Sequence, residues 1–339
     1  MARPASDGIV SVIIPAYNAA PFIKRCISAL LAEGSSVGEI IVVDDASTDD
    51  TAKIAEVLGA RVFRMERRSG PSMARNFGAS RAQGTVLFFV DSDVVVRPGA
   101  ITRIRECLDR QTSVAAVFGS YDDTPDAGGT ITRYRNLLHH HVHQRGKSVA
   151  ATFWAGCGAI RQDIFQELGG FDPCGFPRCI EDIELGYRLR DEGHSIRLNR
   201  DLLCTHLKKW TFRTWIKTDV FCRAIPWARL NQERAISPDD LNIRKSQKVS
   251  VALVGIAVLC LPATLLSWWF LAAAAVACLA VIVLNAPLFT LFFRKGGIRF
   301  AAKCVPLHLL YFLYSGLSYL YVWIALRLQL RIRDWNENG

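Results

Sequence analysis

Residues 249–293 form a run of 45 positions without a single Asp, Glu, Lys or Arg, and residues 304–326 form a second such run. One helix crosses a bilayer in about 20 apolar residues, so the first run is long enough for two helices, with the stretch from Pro262 to Trp269 offering the turn between them. Both runs read as membrane segments. The 248 residues before them have the ordinary polar content of a soluble α/β protein. The expected organisation is therefore an α/β domain over residues 1–208, amphipathic interfacial helices over 209–248, a membrane region of two to three helices over 249–326 and a polar tail over 327–339.

A formal charge of +10 asks for an acidic partner. The Lys and Arg residues are scattered and gather mainly beside the apolar runs, which favours a membrane surface over nucleic acid. Residues 210–217 and 223–229 interleave Trp and Phe with Arg and Lys, a composition suited to the headgroup layer. Residues 1–8 lead into a strand without a signal-peptide apolar core, so the soluble part is expected in the cytoplasm. A hairpin over 249–293 then returns the chain to that side at Arg294 and Lys295, in keeping with the positive-inside tendency. A third crossing over 304–326 would place Arg327, Arg331 and Arg333 on the far side, against that tendency, and leaves two or three crossings open. The expected location is the inner or cell membrane, multi-pass. Ten cysteines without a Cys-x-x-Cys pair are expected to be reduced thiols in that compartment; Cys174 and Cys179 are the two close enough to raise a disulfide or metal role.

Residues 86–90, Val-Leu-Phe-Phe-Val, fit a strand buried on both faces and run into Asp91-Ser92-Asp93. In an open α/β sheet ligands bind beyond the carboxyl ends of strands. Two carboxylates flanking a Ser there can share a hard divalent cation with phosphate oxygens, although Asp at a strand end also caps turns. Residues 9–15 and 39–45 are two more such strands, the first stopped by Pro15 and followed by Ala16 and Tyr17, the second ending in Asp44 and Asp45. A short strand over 61–64 and a helix from Gly70 containing Arg75 complete a βαβα order, which predicts a mostly parallel, Rossmann-like sheet with helices on both faces. That topology gathers Pro15, Ala16, Tyr17, Asp44, Asp45, Asp91 and Asp93 on one sheet edge.

Further on, His139 and His143 stand one helical turn apart without an accompanying acid or thiol, a pattern more common on a helix surface than in a metal site. Residues 153–161 combine Phe153 and Trp154 with Gly156 and Gly158, small residues that let a ligand approach the backbone or let a strand pack tightly. A helix from about Glu181 to Gly193 carries Glu181 and Asp182 at its N-terminus, where free backbone N–H groups hold acids in place. Strand-like pieces at 196–198 and 202–206 end in His206, with Lys208, Lys209 and Arg213 nearby.

The order and spacing of four stretches, residues 10–18, 39–49, 70–76 and 91–93, resemble family 2 glycosyltransferases of the GT-A fold, and the resemblance covers most of residues 9–206. It implies transfer of a sugar from a nucleotide-diphosphate sugar, inverting and metal-dependent, with Mg²⁺ or Mn²⁺ as cofactor. It further implies donor binding by Pro15, Ala16, Tyr17, Asp44 or Asp45, Arg75 and Asp91. Asp93 would be the firmer metal ligand, with Asp91 assisting and His206 a candidate third. Asp182 would be the general base, and Trp154, Gly156 and Glu181 would face the acceptor. With the apolar runs attached, that acceptor is expected to be lipid-linked or membrane-associated. The Gln-x-x-Arg-Trp motif of processive relatives is absent, which speaks against polymer synthesis. Two other readings compete: a nucleotidylyltransferase, which normally carries a Gly-rich basic loop after the first strand where this chain has Pro15-Ala16-Tyr17-Asn18, and a non-catalytic nucleotide-binding membrane scaffold, against which Asp91, Asp93 and Asp182 argue.

Overall fold

Each β-branched or aromatic run that ends in an acid becomes a strand of one eight-stranded sheet. The computed structural model describes residues 9–110, 113–234, 239–241, 244–330 and 332; the expectations resting on residues 1–8, on Arg331 and Arg333 and on the tail beyond 332 lie outside the described residues. In chain order the elements are β1 (Val10–Ala16), α1 (Ala20–Leu31), β2 (Glu39–Asp44), α2 (Thr51–Val57), β3 (Arg61–Arg64), α3 (Pro71–Arg81), β4 (Val86–Val90), β5 (Val94–Val96), α4 (Ala100–Asp109), β6 (Val114–Tyr121), α5 (Thr130–Gln144), β7 (Cys157–Arg161), α6 (Gln162–Glu167), α7 (Glu181–Asp191) and β8 (Ser195–His206), then α8 (Phe212–Asp219), α9 (Ile225–Glu233), α10 (Lys245–Ala263), α11 (Trp269–Leu284) and α12 (Ala286–Arg327). They fall into two compact units, one of residues 1–127 and 143–208, the other of residues 128–142 and 209–339.

In the first unit the strand order is β3-β2-β1-β4-β7-β6-β8-β5. β1 pairs in parallel with β2 and β4, β2 with β3, and β6 with β8, while β7 runs antiparallel between β4 and β6. This is the mixed, mostly parallel α/β sheet of GT-A type. β4 is buried along its whole length. Phe88 joins the core that includes Ile14 and Ile23, and Phe89, on the opposite face, packs against Phe165 and Phe171 at ring distances of 5.4 and 5.1 Å. Burying both faces in this way, at about 1.5–3 kcal/mol per large apolar side chain, fixes where the strand ends and hence where Asp91 begins.

Two elements differ from the sequence expectation. β8 is one continuous strand of 12 residues in place of two fragments, and the three-residue β5 immediately follows Asp93. β5 pairs antiparallel with the end of β8, Val94 opposite His206 and Val96 opposite Cys204. Its side chains need that partner, because three residues carry too little pattern to declare a strand alone.

The second unit is helical. Asp219, at the end of α8, ties it together: one carboxylate oxygen accepts from Trp215 Nε1 (2.8 Å) and Tyr314 Oη (2.7 Å), and the other faces Arg135 Nη1 at 2.8 Å. Trp215, expected in a headgroup layer, is instead fully buried, since its indole N–H has this partner inside. α10 and α12 are long and apolar enough to cross a membrane, and α11 is a shorter apolar helix. At 1.5 Å per residue α11 spans about 24 Å, short of a hydrocarbon core of about 30 Å. Proline explains the early stop: Pro287 lacks an N–H and suits the start of the next helix. Arg294 and Lys295 end the first arm of α12, just before two helices meet across a kink at Gly297. The one non-helical residue within α12 is Gly297, at φ 70° and ψ −177°, a conformation essentially reserved for glycine.

Among the described residues, which include all ten cysteines, no disulfide is formed. His143 is buried, with Nδ1 2.9 Å from the Gly119 carbonyl oxygen and its ring against Phe118 and Trp154. It packs the core of the first unit, which corrects the expectation of a helix-surface residue.

Candidate active site

The turn between β4 and β5 sets out the first cluster. The Asp91 amide donates to the Gly156 carbonyl at 3.2 Å and its own carbonyl accepts from Val94 at 3.0 Å, so Asp91-Ser92-Asp93 is held between β7 and the start of β5. Because β5 lies along β8, Asp93 meets His206: Oδ2 is 3.4 Å from Nε2. The Leu207 amide donates to the Asp93 carbonyl at 2.9 Å. The imidazole is stacked on Tyr121, 4.8 Å between ring centroids and 20° between planes, and Trp154 meets Tyr121 edge-on at 5.0 Å. Burial on its own would raise the Asp93 pKa; the His206 ring and Lys208 outweigh it and hold the carboxyl below its ordinary range.

The second cluster is organised by Arg75 of α3. Its guanidinium is almost fully buried, with Nη2 donating to Asp91 Oδ1 at 2.7 Å and Nη1 donating to Glu181 Oε1 at 2.5 Å. One cation thus joins the end of β4 to the start of α7. Asp182 stands beside it: Oδ2 accepts from the Ala155 amide at 3.0 Å and Oδ1 from the Ile183 amide at 2.8 Å. Burial pushes Glu181 up to about 7 against the pull of Arg75. Asp182 is raised as well, again by burial, with Arg75 and the two amide donors opposing. The residue before this pair, Ile180, sits at φ 56°, a left-handed conformation that is a genuine outlier for a β-branched side chain. Strain of about 1–3 kcal/mol at such a position persists only where the surroundings over-determine it, as at ligand sites.

The residues expected at the donor separate by their partners. Asp45 is occupied on both oxygens, by the Ser69 amide at 2.7 Å and the Gly70 amide at 2.8 Å, and so fastens the entry to α3. Asp44 accepts from the Ser47 amide through Oδ1 at 3.1 Å, and among the described residues no hydrogen bond reaches Oδ2. Tyr17 is 39% exposed and lies under the Arg68 guanidinium at 4.1 Å. Pro15 and Ala16 end β1 alongside Val43 and Asp44. At Gly156 a Cβ would meet the Trp154 ring at 2.7 Å: the room left by this glycine is filled by the neighbouring indole, so the tight-packing reading accounts for it without a ligand.

Neither Tyr121 nor Arg68 was singled out by the sequence. β6 runs parallel to β8, so Tyr121 and His206 end on the same sheet edge, a relation only the strand order reveals. Among the described residues no group of three or more His, Cys, Asp and Glu side chains is placed to hold a metal. Asp93 and His206 nevertheless converge, and a hard divalent cation bound with a diphosphate takes much of its coordination from substrate oxygens and water. The donor set fits such an ion.

Residues 11–169 match the glycosyl transferase family 2 model. The chain is 36% identical over 122 residues to the uncharacterized glycosyltransferase EpsJ of Bacillus subtilis (strain 168), 35% of this chain and 36% of that protein. It is 29% identical over 210 residues to the glycosyltransferase AglE of Haloferax volcanii, 58% of this chain and 66% of that protein. The matches therefore span between about one third and two thirds of these relatives' length. Among solved structures, the mannosyltransferase PcManGT from Pyrobaculum calidifontis, in complex with GDP-Man and Mn²⁺, superposes with a TM-score of 0.56 at 19% identity, over 94% of this chain and 88% of that one. That likeness is one of fold. Glu181, Asp182 and His206 lie beyond the matched family segment.

Proposed function

We propose, from the match of residues 11–169 to the glycosyl transferase family 2 model and from the GT-A type of the fold, that the protein is a membrane-bound inverting glycosyltransferase that moves a sugar from a nucleotide-diphosphate sugar to a lipid-linked or membrane-associated acceptor. The observation that carries the reading is the Arg75 bridge from Asp91 to Glu181, the neighbour of Asp182, which supports a single site holding the Asp91-Ser92-Asp93 turn and Asp182. The Pyrobaculum mannosyltransferase, solved with GDP-Man and Mn²⁺, supports the donor class and the ion. α10 and α12 support a membrane location.

In this reading Tyr17 stacks on the nucleotide base in exchange for Arg68. Asp44, with one oxygen that no described residue hydrogen-bonds, accepts a base N–H in preference to Asp45, whose two oxygens each hold a backbone amide. Asp93 and His206 would hold Mg²⁺ or Mn²⁺, which when bound supplies charge neutralisation for the departing diphosphate. Arg75 keeps Asp91 oriented. Asp182, its carboxyl raised above the ordinary range by burial, takes the proton from the acceptor hydroxyl as that oxygen attacks the anomeric carbon from the face opposite the diphosphate. An acceptor that is already ionised, such as a lipid phosphate, would ask little of this base.

Transfer from a labelled donor in isolated membranes tests the assignment. Asp93→Ala is expected to lower turnover and to abolish rescue by added Mn²⁺ or Mg²⁺ after chelation. Asp182→Asn is expected to lower transfer to a hydroxyl acceptor by roughly 10²–10⁴-fold. Wild-type-like transfer by both variants with every acceptor tried would overturn the proposal.

A further inference from the structure

The helical unit contains a cavity of about 1030 Å³, at the upper end of the range of sites that enclose a small molecule. Its lining draws on α5, on the segment from Asp219 to Gln232, on the first turns of α10 and on the second half of α12. Two of its residues mark the boundaries of the uncharged runs: Lys248 is the last charged residue before residue 249, and Arg327 is the first after residue 326. The beginning of α10 and the end of α12 therefore meet at one cavity, at the level where both apolar helices give way to charge. Trp227, Tyr319 and Trp323 line the same space, and Trp and Tyr favour the boundary between hydrocarbon and water.

Basic residues outnumber acidic ones in the lining. Its only carboxylate among the described residues, Asp219, faces Arg135 at 2.8 Å and accepts from Trp215 and Tyr314. Arg223, Lys248 and Arg327 are three further cations, all on exposed residues. Val251, Phe312 and Leu326 supply apolar wall. Cations at the end of an apolar pocket, ringed by aromatic side chains, match a molecule with an anionic headgroup on a hydrocarbon chain.

We propose that this cavity binds a phosphate-bearing lipid, its headgroup against Arg223, Lys248 and Arg327 and its chain against the apolar wall. The inference rests on the membrane reading of α10 and α12 and not on the transfer reaction. Its test is read without nucleotide sugar, so loss of lipid binding and loss of turnover are separate results.

The full-length protein, purified in a neutral maltoside detergent, is melted in the presence of farnesyl phosphate, farnesol, inorganic phosphate, or phosphatidylglycerol or phosphatidylcholine in mixed micelles. Farnesyl phosphate is expected to raise the melting temperature saturably, at concentrations where farnesol and inorganic phosphate do not. Lys248→Gln and Arg327→Gln, each read against its own unliganded melt, are expected to raise the half-saturating concentration about fivefold. Stabilisation by phosphatidylglycerol but not phosphatidylcholine would also support the site and identify a bilayer lipid as its source, whereas a response to farnesyl phosphate alone points to an isoprenoid. Equal stabilisation by farnesol, equal stabilisation by inorganic phosphate, or unchanged binding by both variants would overturn it.

Discussion

Glu181 couples the acid cluster to pH. Its ordinary value is 4.5 and burial carries it to about 7 in the folded protein, so between those values the folded state holds a proton that the unfolded chain has released. The stabilisation is complete below about 4.5 and is lost as pH rises toward 7, amounting to about 3 kcal/mol at most. Glu181→Gln is expected to flatten this decline, read as a smaller difference in melting temperature between pH 5 and pH 7.5; an unchanged difference would refute the assignment. Ile180 offers a second test, because two effects oppose there. Removing its buried side chain costs packing, while glycine alone relieves the φ of 56°. Ile180→Gly should therefore be more stable than Ile180→Ala by about 1 kcal/mol in thermal unfolding, and the reverse order would show that the backbone is not strained. Residue types and order were legible in the sequence for Asp91, Asp93 and Asp182. The partner of Arg75 was not: a guanidinium placed near the nucleotide by resemblance lies between two carboxylates, 16 and 106 positions away, and nothing local announces either.

Elements with a strong period or a long apolar run were readable before the structure. β1, β2 and β4 bury both faces and declare themselves. β5 did not, since three valines become a strand only through a partner more than a hundred positions later. The helical unit shows the same division: the uncharged runs announced α10 and α12, while the burial of Trp215 depended on Asp219, one turn along its own helix, and on Tyr314 and Arg135 arriving from two others. Removing that carboxylate leaves a buried guanidinium without its counter-charge, so Asp219→Ala is expected to destabilise the protein by about 3–5 kcal/mol, seen as a lowered melting temperature in detergent. Within α12, Gly297→Ala forces a side chain into a glycine-only conformation and is expected to cost about 1–3 kcal/mol in the same assay; a neutral outcome would mean that the two arms of α12 straighten without penalty.

For the whole molecule, the exposed apolar surface of the helical unit sets the behaviour in solution. Leu265 and Leu266 are 91% and 84% exposed, and Trp268 and Trp269 are exposed beside them, a run of large apolar side chains of the kind that marks a contact surface. The full chain is expected to stay with the membrane fraction through an alkaline carbonate wash and to need detergent for release; recovery in the wash would overturn the membrane reading of α10 and α12. The β5–β8 ladder adds a consequence in time. Asp93 and His206 are 113 positions apart (206 − 93) and become neighbours only when β8 reaches the sheet, so the first ninety or so residues emerge from the ribosome with Asp91-Ser92-Asp93 complete and the imidazole still to come. Synthesis is slower than local folding, and closing so long a loop carries its entropy cost before any contact repays it. Ribosome-bound chains stalled before Cys204 are therefore expected to leave residues 91–96 open to protease, and chains released past Lys208 to protect them, which makes the candidate ion-holding turn one of the last parts of the first unit to mature.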